Sequence, residues 1–242
     1  MAGHSKWAQI KRKKAVVDVK RGKLFTKLIR EITIAAREGG GNPDGNPRLR
    51  LAIDQARANN MPMENIERAI KRATGELEGT KYEEIIYEGY GPGGVAILIE
   101  AVTDNKNRTV SEIRHIFSKH GGRLADLGSV NYLFQRKGII NVDKEQISED
   151  DLIIIALDAG ADDVLTLPDY FEVQTAVESF EKVRKALIEK NVKIESASLQ
   201  YVPLNLIKVE GKENETTIKL LETLEDHDDV QNVYTNADVN EI

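Results

Sequence analysis

Cysteine is absent from all 242 positions, which removes disulfides, thiolate metal sites and cysteine nucleophiles together. Aromatic residues are scarce at 5%, and there is one tryptophan, Trp7. Long apolar runs are missing as well. Residues 95–99 and 152–157 are strand or core-helix length, against the roughly 20 residues that a membrane span needs. The basic N-terminus lacks the apolar stretch of a secretory signal. A basic, acid-poor start also fits an organellar transit peptide, but from Gly22 onward a helical pattern begins, so a cytoplasmic protein is expected. The four histidines, His4, His115, His120 and His227, form no His-Glu-x-x-His pair, and no Gly-x-Ser-x-Gly elbow exists. Gly89, Gly91, Gly93 and Gly94 invite a phosphate-loop reading. That loop needs a helix after it, whereas residues 95–99 read as a strand, so a tight hairpin is the better account. Asp228-Asp229 reads as a turn, and Asp104, Asn105, Asn107 and Arg108 as a polar loop before a helix. No catalytic residue, metal site, cofactor or small-molecule substrate is expected.

What is present is charge, unevenly distributed. The net of −6 argues against a nucleic-acid binder until it is divided along the chain. Residues 1–80 carry 17 Lys and Arg against 9 Asp and Glu, a net of +8, and residues 81–242 carry a net of −14. Within residues 1–30 ten basic side chains face one acid, Asp18. Such asymmetry points to a basic arm that meets a polyanion, with a merely solvated surface as the alternative.

The first 80 residues read as short helices joined by turns. At 100° per residue Leu24, Phe25, Leu28, Ile29, Ile32, Ala35 and Ala36 fall on one side of a helix over 24–38. Lys20, Lys23, Lys27, Arg30 and Arg37 fall on the other, with Ile34 intruding among them. Asn46 and Pro47 are a cap and first residue for a second helix over 47–59, and Pro62 starts a third that ends at Gly75. From about Thr80 the pattern changes. Strands are expected at 83–90 and 94–103, a helix opened by a Thr109/Glu112 capping box, and a strand at 130–135. Next come a strand at 138–142, a helix opened by Ser148, a strand region at 164–173, a helix opened by Thr175/Glu178 and a strand near 193–201. That order, β-α-β-β-α-β, is the ferredoxin-like signature. A strand at 205–209, a helix at 216–224 and a strand at 230–235 finish the chain. A repeated helix-to-strand passage, 157–164 and 224–230, fits either a duplication or a common turn. The expected fold is α+β: a helical N-terminal domain over 1–79, an α/β domain of 80–135 plus 205–242, and a ferredoxin-like α/β domain of 136–204 inserted into it.

Phosphate contacts are assigned to Lys6, Lys11, Arg12, Lys13, Lys14, Lys20, Arg21, Lys23, Lys27 and Arg30, because each phosphate they neutralise releases counterions. Trp7, among these charges, is placed either to stack on a base or to pin the arm onto the core. No helix-turn-helix or RNP pattern is legible. A rival basic patch is Arg108, Arg114, Lys119 and Arg123.

Several segments also resemble one family: Ala2-Gly3-His4-Ser5-Lys6-Trp7, Lys20-Arg21-Gly22-Lys23 followed by residues 25–32, and Asn46-Pro47-Arg48-Leu49-Arg50. So do residues 65–70, Glu88-Gly89-Tyr90-Gly91-Pro92-Gly93-Gly94, Asn107-Arg108-Thr109 and residues 118–122. Together they resemble the YebC/PmpR family of probable transcriptional regulators. The likeness is specific over 1–135 and rests on order and length beyond. Residues 123–127 depart from the Gly-rich lead that the family tends to place before Gly128-Ser129-Val130. The resemblance implies a helical domain followed by two related α/β domains, a cytoplasmic location and a role in gene expression. Members are described as DNA-binding transcriptional regulators, and mitochondrial and some bacterial relatives as translation factors at the ribosome. Duplex DNA is therefore the leading partner, with ribosomal RNA or the ribosome the alternative. A small-molecule-sensing or metabolic enzyme on ferredoxin-like domains is the third reading.

Overall fold

In the computed structural model, which describes Trp7, Gln9, Ile10 and residues 21–240, the chain is α+β. It divides into two compact units, one of residues 1–134 with 203–242 and one of residues 135–202.

From Arg21 the first unit runs through the helices α1 (Arg21–Gly39), α2 (Pro47–Ala58) and α3 (Met63–Ala73). The apolar side of α1, including Leu28, Ile32, Ala35 and Ala36, packs on Leu49, Ala52 and Ile53 of α2 and Ile66 and Ala69 of α3. Asn46 secures the corner: its Oδ1 accepts from Leu49 N at 3.1 Å, and its Nδ2 donates to Ala35 O at 2.7 Å and Gly40 O at 2.9 Å. One side chain thus caps the start of α2 and satisfies carbonyls at the end of α1. Arg48 adds a charged tie. It donates to both carboxylate oxygens of Glu31, at 2.8 and 3.1 Å, to Glu38 at 2.8 Å and to Glu84.

The sheet of this unit runs β3-β1-β2-β9, from β1 (Glu83–Tyr90), β2 (Ala96–Thr103), β3 (Arg123–Ala125) and β9 (Val230–Thr235), with every neighbour antiparallel. The hairpin β1–β2 sits at its centre. Helices α4 (Lys106–Lys119) and α7 (Gly211–Glu225) pack on it through Ile113, Phe117, Leu220, Leu221 and Leu224 against Tyr87, Ile97, Ile99 and Val233. Trp7 and Ile10 belong to this same cluster. A parallel pair, β8 (Ile207–Lys208) and β10 (Ala237–Asp238), completes the unit.

The second unit contains β4 (Phe134–Asp143), α5 (Glu149–Ala159), β5 (Asp163–Thr166), β6 (Tyr170–Thr175), α6 (Phe180–Glu189) and β7 (Ile194–Pro203). Its sheet order, β5-β6-β4-β7, is that of the split βαβ. Outside its ends, Leu204 N donates to Leu133 O at 2.9 Å, so the chain leaves and rejoins the first unit at one point.

Three local expectations are corrected. Helix α4 starts at Lys106 with Asn105 as its cap, the Oδ1 accepting from Arg108 N at 3.1 Å, and Thr109 is buried one turn inside. The strand expected at 130–135 begins as a 3-10 turn (Asn131–Leu133), and β4 then runs unbroken through the separate strand expected at 138–142. Thr175 closes β6 with its hydroxyl on Ala176 O at 2.8 Å, and α6 begins later, at Phe180. Among the described residues no helix is long and apolar enough to cross a membrane.

Candidate nucleic-acid interface and the Asp229 hub

Helix α1 separates an apolar side from a basic one, and the fold gives the basic side a specific neighbour. Lys23 Nζ donates to Asp226 O at 2.7 Å and lies 3.5 Å from Asp228 Oδ1. Lys27 Nζ donates to Glu225 O at 2.8 Å. Arg30 Nη1 donates to Val102 O at 3.2 Å and to Asp228 O, and its guanidinium lies 5.3 Å from the Tyr82 ring centroid. Arg37 donates to Tyr82 O. Helix α7 has no basic residue in its own last turn, so the cations of α1 supply the positive charge that its C-terminal carbonyls favour. Ile34, which interrupts the stripe in sequence, is fully buried in this arrangement.

Of the stripe, Arg30 reaches Asp229, whose carboxylate is buried. Its Oδ1 accepts from Arg30 at 2.9 Å. Its Oδ2 accepts from Arg108 at 2.7 Å, Thr109 at 2.7 Å and Thr103 at 3.2 Å. Burial alone pushes this carboxyl up. The hydrogen bonds from Arg108 and Thr109 and the charges of Arg30 and Arg108 outweigh it and hold the group below the ordinary aspartate value. Arg108 also donates to Asp104 at 2.9 Å, so the sequence's polar loop and its Asp-Asp turn are two halves of one charged network. That union was invisible in the sequence, because Thr109 and Asp229 lie 120 positions apart.

Glu112, His227 and Asp229 bring ligand atoms within 4.8 Å of one another, a spacing a metal ion could use. The donor set does not suit one. His227 Nδ1 accepts from Asp229 N at 3.1 Å, which leaves the proton on Nε2, 2.9 Å from Glu112. Both oxygens of Asp229 already serve guanidinium groups, and a cation there would sit against two positive charges.

At the far end of the sheet Tyr90, Gly91, Gly94, Gly121, Gly122 and Arg123 line an open cleft. The amides of Gly91, Gly94, Gly121 and Gly122 donate to Val95 O, Gly91 O, Ser118 O and Phe117 O, so these turns do not present a ring of free N–H groups to a phosphate. Beside the cleft Glu88 is buried, and its carboxylate accepts from Gly128 N at 2.7 Å, Val130 N at 2.6 Å and Asn131 N at 3.0 Å. Tyr90 Oη donates to Ser129 O at 2.8 Å. In the sequence Glu88 stood out only as an acid within a strand-like run and as part of a family-like segment, and nothing there paired it with the amides of residues 128–131.

The remaining sequence-predicted residues divide clearly. Lys6, Lys11, Arg12, Lys13, Lys14 and Lys20 lie outside the described residues, and Arg21 is described only as the first residue of α1. Trp7 is 3% exposed, so neither face of its ring is open to a base. Exposed cations that sequence reasoning did not select include Lys71 and Arg72 on the last turn of α3.

The chain matches the family model described as the TACO1/YebC protein N-terminal domain over residues 5–76, and that described as the TACO1/YebC second and third domain over residues 82–237. A probable transcriptional regulatory protein of Chloroherpeton thalassium is 57% identical over 242 residues, covering 100% of this chain and 97% of the relative. One from Dictyoglomus turgidum is 58% identical over 240 residues, covering 99% and 96%. A crystal structure of a conserved hypothetical protein from Aquifex aeolicus aligns with a TM-score of 0.90 at 51% identity, covering 98% of each chain.

Proposed function

The chain belongs to the TACO1/YebC family, and from that premise we propose that it is a non-catalytic, cytoplasmic nucleic-acid-binding regulator of gene expression that acts on DNA in transcription. The observation that carries this reading is the charge of residues 1–30, ten cations to one acid in a chain of net −6. The names of the relatives, probable transcriptional regulatory proteins, agree with it. In this reading Lys6, Lys11, Arg12, Lys13, Lys14, Lys20 and Arg21 meet phosphates, with Lys23 at their edge. Lys27 and Arg30 hold α1 against the α7–β9 turn, and Trp7 anchors the segment to the core. Backbone contact of this kind positions a protein on nucleic acid without reading sequence.

The test is a titration of the full chain, and of a variant with Lys11, Arg12, Lys13 and Lys14 changed to Glu, against a DNA duplex and a hairpin RNA. With roughly four to eight phosphate contacts, log K against log salt for the duplex should have a slope of about −4 to −7. The variant should lose most affinity. A slope near zero, or an unaffected variant, would overturn the reading, and tighter binding to the hairpin would move the partner to RNA.

A further inference from the structure

The second unit carries fourteen acidic and eight basic side chains and has no part in the interface proposed above. Its helix α5, with sequence EDDLIIIALDA, has apolar residues around its whole circumference. A helix of that composition is normally enclosed on all sides. Here only one side is. Leu152, Ala156 and Ala159 are buried, while Ile154 is 60% exposed and Leu157 49%. At 100° per residue Asp150, Ile154, Leu157 and Asp158 share an arc of about 100° on the side away from the buried residues. Ile188 of α6, which packs beside α5 in the same helical layer, is a third exposed large apolar residue, at 50%.

The acids on this face are not explained by the helix itself throughout. Glu149, Asp150 and Asp151 occupy the first turn, where negative charge stabilises a helix. Asp158 lies in the last turn, where negative charge opposes the macrodipole; the helix has no basic residue of its own there, and the Lys182 ammonium of α6 reaches the helix end near Gly160. It is exposed, and among the described residues no ion-pair or hydrogen-bond partner compensates it. Two branched apolar side chains left exposed beside carboxylates form a surface that an outside partner can cover.

We propose that the outer face of α5, centred on Ile154 and Leu157 and flanked by Asp150 and Asp158, docks a cationic amphipathic helix of a partner protein. Charge selects this occupant. Nucleic acid and anionic lipid are repelled by an acidic rim. A second copy would set the same acids against each other, because a two-fold contact pairs a patch with itself. A helix with Leu at i, i+3, i+4 and i+7 and Lys elsewhere satisfies both the apolar centre and the rim.

The experiment uses the full chain and a fluorescein-labelled 18-residue peptide of that Leu/Lys design, with a scrambled peptide of identical composition. Anisotropy should show the designed peptide binding at least tenfold tighter than the scrambled one. Leu157→Glu together with Ile154→Glu should abolish the difference, and Asp150→Asn with Asp158→Asn should reduce it and its salt dependence. All four positions are exposed, and an unchanged thermal melt certifies the fold. Equal binding of the two peptides, binding indifferent to the Glu variant, or no binding would overturn the proposal. So would self-association of the chain that Ile154→Glu abolishes, which assigns the face to a second copy, or duplex DNA protecting Leu157 in amide exchange.

Discussion

Arg30, on the first helix, donates to Asp229 Oδ1 at 2.9 Å across 199 residues of sequence. The bond joins the basic stripe of α1 to the turn that leads into β9, with Arg108 on the carboxylate's other oxygen. Removing the shared acceptor takes a buried carboxylate from two guanidinium groups and from the Thr109 and Thr103 hydroxyls at once, whereas removing one donor leaves the other contacts in place. Asp229→Ala should therefore cost about 3–5 kcal/mol and Arg30→Ala distinctly less. Urea unfolding of both variants measures the difference, and equal losses below about 1 kcal/mol would refute the hub.

The same carboxylate gives a pH dependence of known sign. Its folded pKa lies below the ordinary 3.8, so the unfolded chain binds a proton first as pH falls. The stabilisation is fully present above the unfolded value and is lost on acidification from about pH 4 down through the folded value. Stability curves for the native chain and Asp229→Asn should converge in that window, and parallel curves would exclude Asp229 as the titrating group.

His120 titrates in a separate window. Burial, then the charges of Lys119 and Lys219, hold its pKa below 6.5, so the folded state resists protonation. Stability should decline as pH falls below 6.5 and level off below the folded pKa, and His120→Gln should flatten that step. A proton NMR titration of the imidazole that moves above 6.5 would contradict the assignment.

Trp7 is the sole fluorophore of its kind and reports its own position. A ring 3% exposed should emit in the blue and resist acrylamide, and saturating duplex should leave both properties unchanged. Trp7→Ala should cost about 3–5 kcal/mol. Quenching on addition of nucleic acid would instead favour a stacking role.

Much of the fold was legible because its signals are local. The two-sided pattern of residues 24–38 and the Asn46-Pro47 start depend on neighbours within a few positions, and the structure realises both. So does the Ser148 cap, whose hydroxyl accepts from Asp151 N at 3.2 Å. Thr109 misled because Asn105 and Thr109 are both competent caps. Only the fold shows Thr109 committed to Asp229. The site was legible as charge but not as direction. Helical periodicity placed Lys23, Lys27 and Arg30 on one side of α1. That this side meets the carbonyls ending α7 depends on a contact roughly 200 positions away.

The bond between Leu204 and Leu133 bears on the order in which the chain assembles. Strand β9 must find β2 from far along the polypeptide: Ala96 N donates to Asn236 Oδ1 across 140 residues. Residues 135–202 form a contiguous β-α-β-β-α-β segment whose pairings need nothing from either flank. If that segment folds first, it draws residues 133 and 204 together and about halves the effective loop that β9 must close. A halving is worth about 0.6 kcal/mol of closure entropy. In that order of events the insertion acts as a clasp, and a chain longer by a whole unit pairs β9 with β2 as if it were shorter.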